Sequence, residues 1–276
     1  MLRLMGLILL FLASLATNIS YAQQYKKEQN STPLRIAVAA NFTPVLKILL
    51  KDFTEKTGIK SQVISGGSGT LFLQIKHGAP FDIFLSADSR RPKALVKAGL
   101  ALNNSCKTYA IGQLAFYSSL LSTKQLTLDR LKTPPVRFAI ANPDIAPYGK
   151  AAKETLTDLG LWQRYQPHLI TGLNINQTFT QLRSKAVTSG LVANSQLVLN
   201  NLSGVIIPSN YHQPINQQLV IIRASKKQDE AKRLSQFLRS IDSQKIITSY
   251  GYVPFIIENK IKNNPLKNKV LKKVTN

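Results

Sequence analysis

The residues Val63-Ile64-Ser65-Gly66-Gly67-Ser68-Gly69-Thr70 run into Leu71-Phe72-Leu73-Gln74-Ile75-Lys76-His77-Gly78, and together they have the chemistry of an anion cradle. Gly66, Gly67 and Gly69 let backbone approach a bound group closely. Ser68 is a good N-cap for a helix continued by Leu71, Phe72 and Ile75, and Gly78 suits the position that closes it. A strand end, a glycine turn and a helix start aim N–H groups and a hydroxyl at one point, an arrangement that holds oxygen-rich anions. Most glycine turns before helices bind nothing, so the stretch gains meaning only beside others of its kind.

Three other places have that form. Leu34 to Ala40 is a short apolar run, a buried parallel strand by pattern. Asn41-Phe42 follows, with Thr43 as N-cap and Pro44 in the first turn of a helix whose apolar face is Val45, Leu46, Leu49, Leu50 and Phe53. Val136 to Ile140 is a strand, Asn142 to Gly149 its loop, and a helix starts at Pro147. Leu191-Val192-Ala193 is a brief strand, after which Asn194-Ser195 starts another helix. The four loops near Asn41, Ser68, Tyr148 and Val192 fall two to each half of the chain. Candidate strands at Tyr109 to Tyr117 and Gln218 to Arg223 cross between the halves. The pattern predicts an α/β protein of two lobes whose helix N-termini face each other across a cleft.

Composition sets the frame. The 276 residues are 44% hydrophobic, normal for a globular chain. Arg3, the apolar run from Leu7 to Leu12 and Ser20-Tyr21-Ala22 read as a cleavable secretory signal over residues 1–22. A membrane anchor is the competing reading, but the apolar run is short and Thr17-Asn18 interrupts it. Cys106 is the one cysteine, so no internal disulfide forms. The net charge is +23; setting aside Arg3, the net +1 of residues 23–32 and the six lysines after Glu258 leaves +15 on the body. These charges are scattered, and no nucleic-acid-binding signature accompanies them.

Catalytic alternatives find little support. Asp82 and Asp88 are a conceivable acid–base pair, but as loop and cap residues they read as structural. Gly66-Gly67-Ser68-Gly69-Thr70 lacks the second glycine of a nucleophile elbow, and no P-loop lysine follows a glycine run. His77, His168 and His212 lie in none of the four loops, and no metal-ligand spacing occurs.

At these residues the sequence resembles the periplasmic molybdate-binding proteins of ABC transporters. The markers are Ala39-Ala40-Asn41-Phe42, Ser65-Gly66-Gly67-Ser68-Gly69, the run from Gly78 to Asp88, Asn142-Pro143 with Ala146-Pro147-Tyr148-Gly149, and Tyr250-Gly251-Tyr252. The resemblance implies a type II periplasmic binding fold with a hinged inter-lobe cleft. The chain then divides into a signal peptide (1–22), a first lobe (33–112), a second lobe (113–217), a return segment of the first lobe (218–258) and a basic tail (259–276) that is not part of the family pattern. It implies a monomer without cofactor that binds molybdate, and tungstate with it, through uncharged donors and delivers it to a membrane permease. The ligand set it implies is Ala40, Asn41, Ser68, Tyr148 and Val192, with Asn41 acting through main chain, side chain or both. Ala40 stands where relatives often carry a hydroxyl and offers only backbone. Sulfate, thiosulfate or an organic anion is the alternative solute.

Overall fold

The computed structural model describes residues 32–255, so the expected signal peptide and basic tail lie outside the described residues. Ten strands form two five-stranded sheets. The first has the order β2-β1-β3-β10-β4, with β1 Leu34–Ala39, β2 Ser61–Gly66, β3 Ile83–Leu85, β4 Lys107–Gly112 and β10 Ile215–Ile221. The second has the order β7-β6-β8-β5-β9, with β5 Leu114–Ser118, β6 Phe138–Ala141, β7 Leu169–Gly172, β8 Ser189–Ala193 and β9 Val205–Ile206. The two orders correspond strand for strand. In each sheet a parallel trio (β2-β1-β3, β7-β6-β8) is followed by an antiparallel strand borrowed from across the crossover: β10 pairs with β3, and β5 with β8.

Only Gln113 separates β4 from β5, so the expected crossing strand from Tyr109 to Tyr117 is two strands in different sheets. The return strand enters the first sheet at Ile215, three residues before the position expected from its apolar run, because Asn216 and Gln217 break the hydropathy of its first half. β7 was not expected at all; its residues Leu169-Ile170-Thr171-Gly172 border a polar segment that masks so short a strand.

The helices are α1 Thr43–Thr57, α2 Ser68–Lys76, α3 Arg90–Lys97, α4 Pro147–Asp158, α5 Trp162–Tyr165, α6 Ile175–Arg183, α7 Asn194–Leu199, α8 Gln228–Leu238 and α9 Ile241–Ser249. Period-two alternation on β1 sends Ile36 and Val38 to one face and Ala37 to the other. The first pair packs with Leu46, Leu49 and Phe53 of α1 and with Leu234, Leu238 and Ile247. Ala37 packs with Leu71 and Ile75 of α2. Each such fully buried side chain contributes about 1.5–3 kcal/mol relative to exposure. A third cluster joins the halves: Ala39, Ala87 and Ile215 from the first sheet and its loops meet Leu114, Ala146, Tyr148 and Ile175.

Two expected caps are displaced by one residue. The N-cap of α1 is Phe42, and Thr43 is already helical, its Oγ1 2.7 Å from Ser65 Oγ. The N-cap of α2 is Gly67, and Ser68 is its first helical residue. Glycine takes the extended cap conformation with no side chain in the way, which frees the serine hydroxyl for another use. Gly58 and Gly78 do close α1 and α2 with positive φ angles of 71° and 84°.

Candidate oxyanion site

Four loops leave the carboxyl ends of the parallel strands β1, β2, β6 and β7, and each opens a helix. They meet at a small cavity of about 10 Å³, roughly the room of one water molecule. Asn41, Ser68, Tyr148 and Ile175 line it, one from each loop, with Ala40, Gly67 and Asn174 beside them. No Asp, Glu, Lys, Arg or His lines it.

The first turn of a helix leaves its N–H groups without intrahelical acceptors. Ser68, Tyr148 and Ile175 all occupy such positions in α2, α4 and α6. Their N–H groups, and that of Asn41, find no acceptor among the described residues. Several neighbouring donors are already committed. Ala40 N–H donates to Gly66 O (2.9 Å), Gly69 N–H to Ile145 O (3.2 Å), and Asn176 and Gln177 N–H to Asn174 Oδ1 (2.9 and 3.1 Å). The amides of Asn41, Ser68, Tyr148 and Ile175 face one small volume from the positive ends of helix dipoles.

Ser68 adds a fifth donor. Its Oγ accepts the Ala87 N–H (3.0 Å), so the hydroxyl proton is free to point at a ligand. The side chain of Asn41 does not add one. Its Nδ2 hydrogens go to Gln217 Oε1 (3.0 Å) and to the Tyr252 hydroxyl (3.2 Å), which donates back to Asn41 O (2.9 Å). Of the alternatives open for Asn41, the geometry leaves the main chain.

Ala40 lines the cavity but brings it no hydrogen bond, since its only N–H ties the end of β1 to the end of β2. Val192 is not brought to the cavity. It lies inside β8, paired opposite Ala115, and its side chain packs with Phe179 and Leu182 of α6. β8 passes into α7 with no intervening loop, and Asn194 N–H is bound to Gln113 O (2.9 Å), so this helix start is closed off. The fourth helix start at the cavity is that of Ile175 instead. Its signal was present in Asn174-Ile175-Asn176-Gln177, an N-cap residue followed three positions later by Gln, ahead of the apolar spacing Phe179 and Leu182.

Aspartates and histidines are otherwise engaged. Asp82 accepts from Arg35 N–H (2.7 Å) and Ser225 Oγ (2.6 Å), and Asp88 accepts Arg91 N–H (3.0 Å) and pairs with the Arg91 guanidinium. His168 and His212 lie by backbone carbonyls away from the cavity, and His77 ends α2. Cys106 Sγ donates to Gln218 Oε1, and burial pushes its thiol pKa up, which disfavours the nucleophilic thiolate. Among the described residues no group of three His, Cys, Asp or Glu could hold a metal ion.

The loops of the two sheets touch directly, so this is the closed arrangement of the cleft. Arg91 Nη2 and Gly69 N–H both donate to Ile145 O (2.9 and 3.2 Å). A Cβ at Gly69 would stand 2.8 Å from that oxygen, so the approach requires glycine.

A family model described as bacterial extracellular solute-binding protein matches residues 34–253. The chain is 38% identical over 218 residues to the molybdate-binding protein ModA of Rhodobacter capsulatus, covering 79% of this chain and 86% of that one. It is 34% identical to ModA of Azotobacter vinelandii over 79% of this chain and 89% of that one. The solved periplasmic molybdate-binding protein of Azotobacter vinelandii superposes with a TM-score of 0.75, over 80% of this chain and 98% of that one.

Proposed function

The chain belongs to the bacterial extracellular solute-binding proteins, and on that premise we propose that it binds molybdate, and tungstate with it, in the periplasm and delivers the anion to the membrane permease of an ABC importer. The proposed ligand set is the main-chain N–H groups of Asn41, Ser68, Tyr148 and Ile175 with the Ser68 hydroxyl. The carrying observation is that these unpartnered donors, from four helix starts, line one cavity free of charged side chains. The relatives named for molybdate supply the identity of the anion.

Removing a dianion from water is costly unless donors replace its hydration. Each hydrogen bond to a charged group contributes about 1.5–3 kcal/mol, and five of them with helix dipoles behind them offset that cost without a counter-ion. A site of donors alone rejects a protonated oxyanion, which brings a proton needing an acceptor. The reading is of a carrier without cofactor and not of an enzyme: Ser68 has an amide N–H on its oxygen and no base beside it. Closure of Ile145 onto Gly69 and Arg91 then joins both lobes into the surface a permease reads.

Thermal unfolding with molybdate, tungstate, sulfate and phosphate, each alone, tests this. A ligand at ~100 times its dissociation constant stabilises by about 2.7 kcal/mol. A shift with molybdate and tungstate supports the proposal. A shift with sulfate or an organic anion alone keeps the fold and overturns the solute.

A further inference from the structure

Behind the cavity lies a buried polar cluster that the ligand set does not use. Gln217, fully buried on β10, is its centre. Gln217 Oε1 accepts from Asn41 Nδ2 (3.0 Å) and lies 3.0 Å from the Tyr109 hydroxyl, which also reaches Ser86 O (3.1 Å). Gln217 Nε2 donates to the Tyr148 hydroxyl (3.3 Å). One amide therefore holds the first-sheet residue Asn41 and the second-sheet residue Tyr148, whose main-chain N–H groups both face the cavity.

The fold makes room for this amide. The pairing of β10 with β4 shifts register between Gln217 and Gln218, leaving Tyr109 as the extra residue of a bulge. Bulges re-aim side chains, and here the Tyr109 ring turns its hydroxyl to Gln217. Gly112 is required beside it, since a Cβ there would lie 2.3 Å from the Tyr148 hydroxyl and 2.9 Å from Gln217 Nε2. The amide has only one orientation that serves its partners. Its oxygen faces two donors and its nitrogen faces the phenol, whose pKa burial holds well above the ordinary value, so the phenol stays neutral and able to accept. Asn41 Oδ1 is buried without a donor, so the side chain is held by its Nδ2 alone, through Gln217 Oε1 and the Tyr252 hydroxyl.

We propose that Gln217 is a positioning residue for oxyanion binding, setting Asn41 and Tyr148 relative to each other so that donors of the two lobes meet at one point. It touches no ligand and acts through the two residues it holds. The inference rests on the oxyanion reading above. Replacing its amide with a carboxylate removes the donor to Tyr148 and sets a negative charge behind a site built for an anion.

The test is calorimetric titration of the full mature chain and of Gln217→Glu with sodium molybdate between about pH 6 and 8. The wild type binds with an affinity flat in pH, as no group at its cavity titrates there. In Gln217→Glu affinity falls by about 100-fold at the upper pH and recovers to within about tenfold at the lower, as the buried carboxyl takes up a proton. A purely structural role would weaken binding without that pH dependence. Should Gln217→Glu fail to fold, Tyr109→Phe keeps the ring, removes one donor to Gln217 Oε1 and weakens binding about threefold to tenfold. PH-independent binding by Gln217→Glu, or unchanged binding by Tyr109→Phe in its absence, overturns the role of Gln217. A wild type that binds no oxyanion overturns the solute reading instead.

Discussion

The two sheets have the same strand order, yet their shares of the site are built differently. In each, the first parallel strand is tied to its neighbour where they enter the loops: Ala40 N–H to Gly66 O in the first, Asn142 N–H to Gly172 O (2.8 Å) in the second. In each, the two loops beyond that tie supply the free amides. In the first sheet these come from Asn41 after β1 and from a glycine turn after β2 that must let the other lobe approach. In the second they come from helix starts fixed by Pro147 and by the Asn174 cap. The lobe with the glycine turn is shaped for closure, and its counterpart for a rigid donor geometry. Close approach and fixed direction are separate demands, and the chain meets them with separate residues.

Two glycines break that comparison most sharply. Gly69→Ala sets a methyl against Ile145 O of the other lobe, at 2.8 Å, and adds no clash with the backbone of its own lobe. It is expected to leave the unliganded Tm within a few degrees and weaken molybdate binding by about 100-fold. Gly149→Ala sets its methyl 2.2 Å from Ala141 O within its own lobe. It should destabilise the fold by about 3 kcal/mol, read from denaturant midpoints. Ser68→Ala comes next. It deletes the fifth donor and should cost about 1.5–3 kcal/mol of binding, a ~10–100-fold loss by titration calorimetry.

Asn174 and Val192 sharpen the second lobe's side. Asn174→Ala removes the cap of α6, costs about 1 kcal/mol of stability and weakens binding by loosening Ile175. Val192→Ala costs about 2 kcal/mol of packing against Phe179 and Leu182 and leaves affinity within about threefold. The reverse ranking on affinity would return the fourth contact to β8.

The smallest effect is on pH. Burial raises the phenol pKa values of Tyr109, Tyr148 and Tyr252 above the unfolded value of about 10. The protonated folded form is then favoured fully below about pH 10, and that stability is lost as pH rises toward the folded pKa values. The Tm should be flat through neutrality and fall above about pH 10, with these three buried phenols ionising only as the chain unfolds.

That Asn41, Ser68 and Tyr148 lie at one cavity was legible in the sequence because each follows an apolar strand near the start of a helix marked by a glycine, proline or cap residue. Those signals are local. The Val192 loop looked alike, since a strand running directly into a helix is not distinguished by sequence from one that leaves a loop between them. Ile175 was hidden because β7 is four residues long and half of it is polar or glycine. Gln217 and Tyr252 reach Asn41, and Tyr109 reaches Gln217, only through contacts across 108 to 211 residues of chain, and a bulge in β4 places one of them. No window of sequence contains that information.

The central claim is that four backbone amides and a hydroxyl, with no cation, hold the anion. Amide proton shifts on adding one equivalent of molybdate test it most directly. The account predicts the largest downfield shifts at Asn41, Ser68, Tyr148 and Ile175, with Val192 small. Unmoved amides at these four residues, with the largest changes elsewhere, would contradict it.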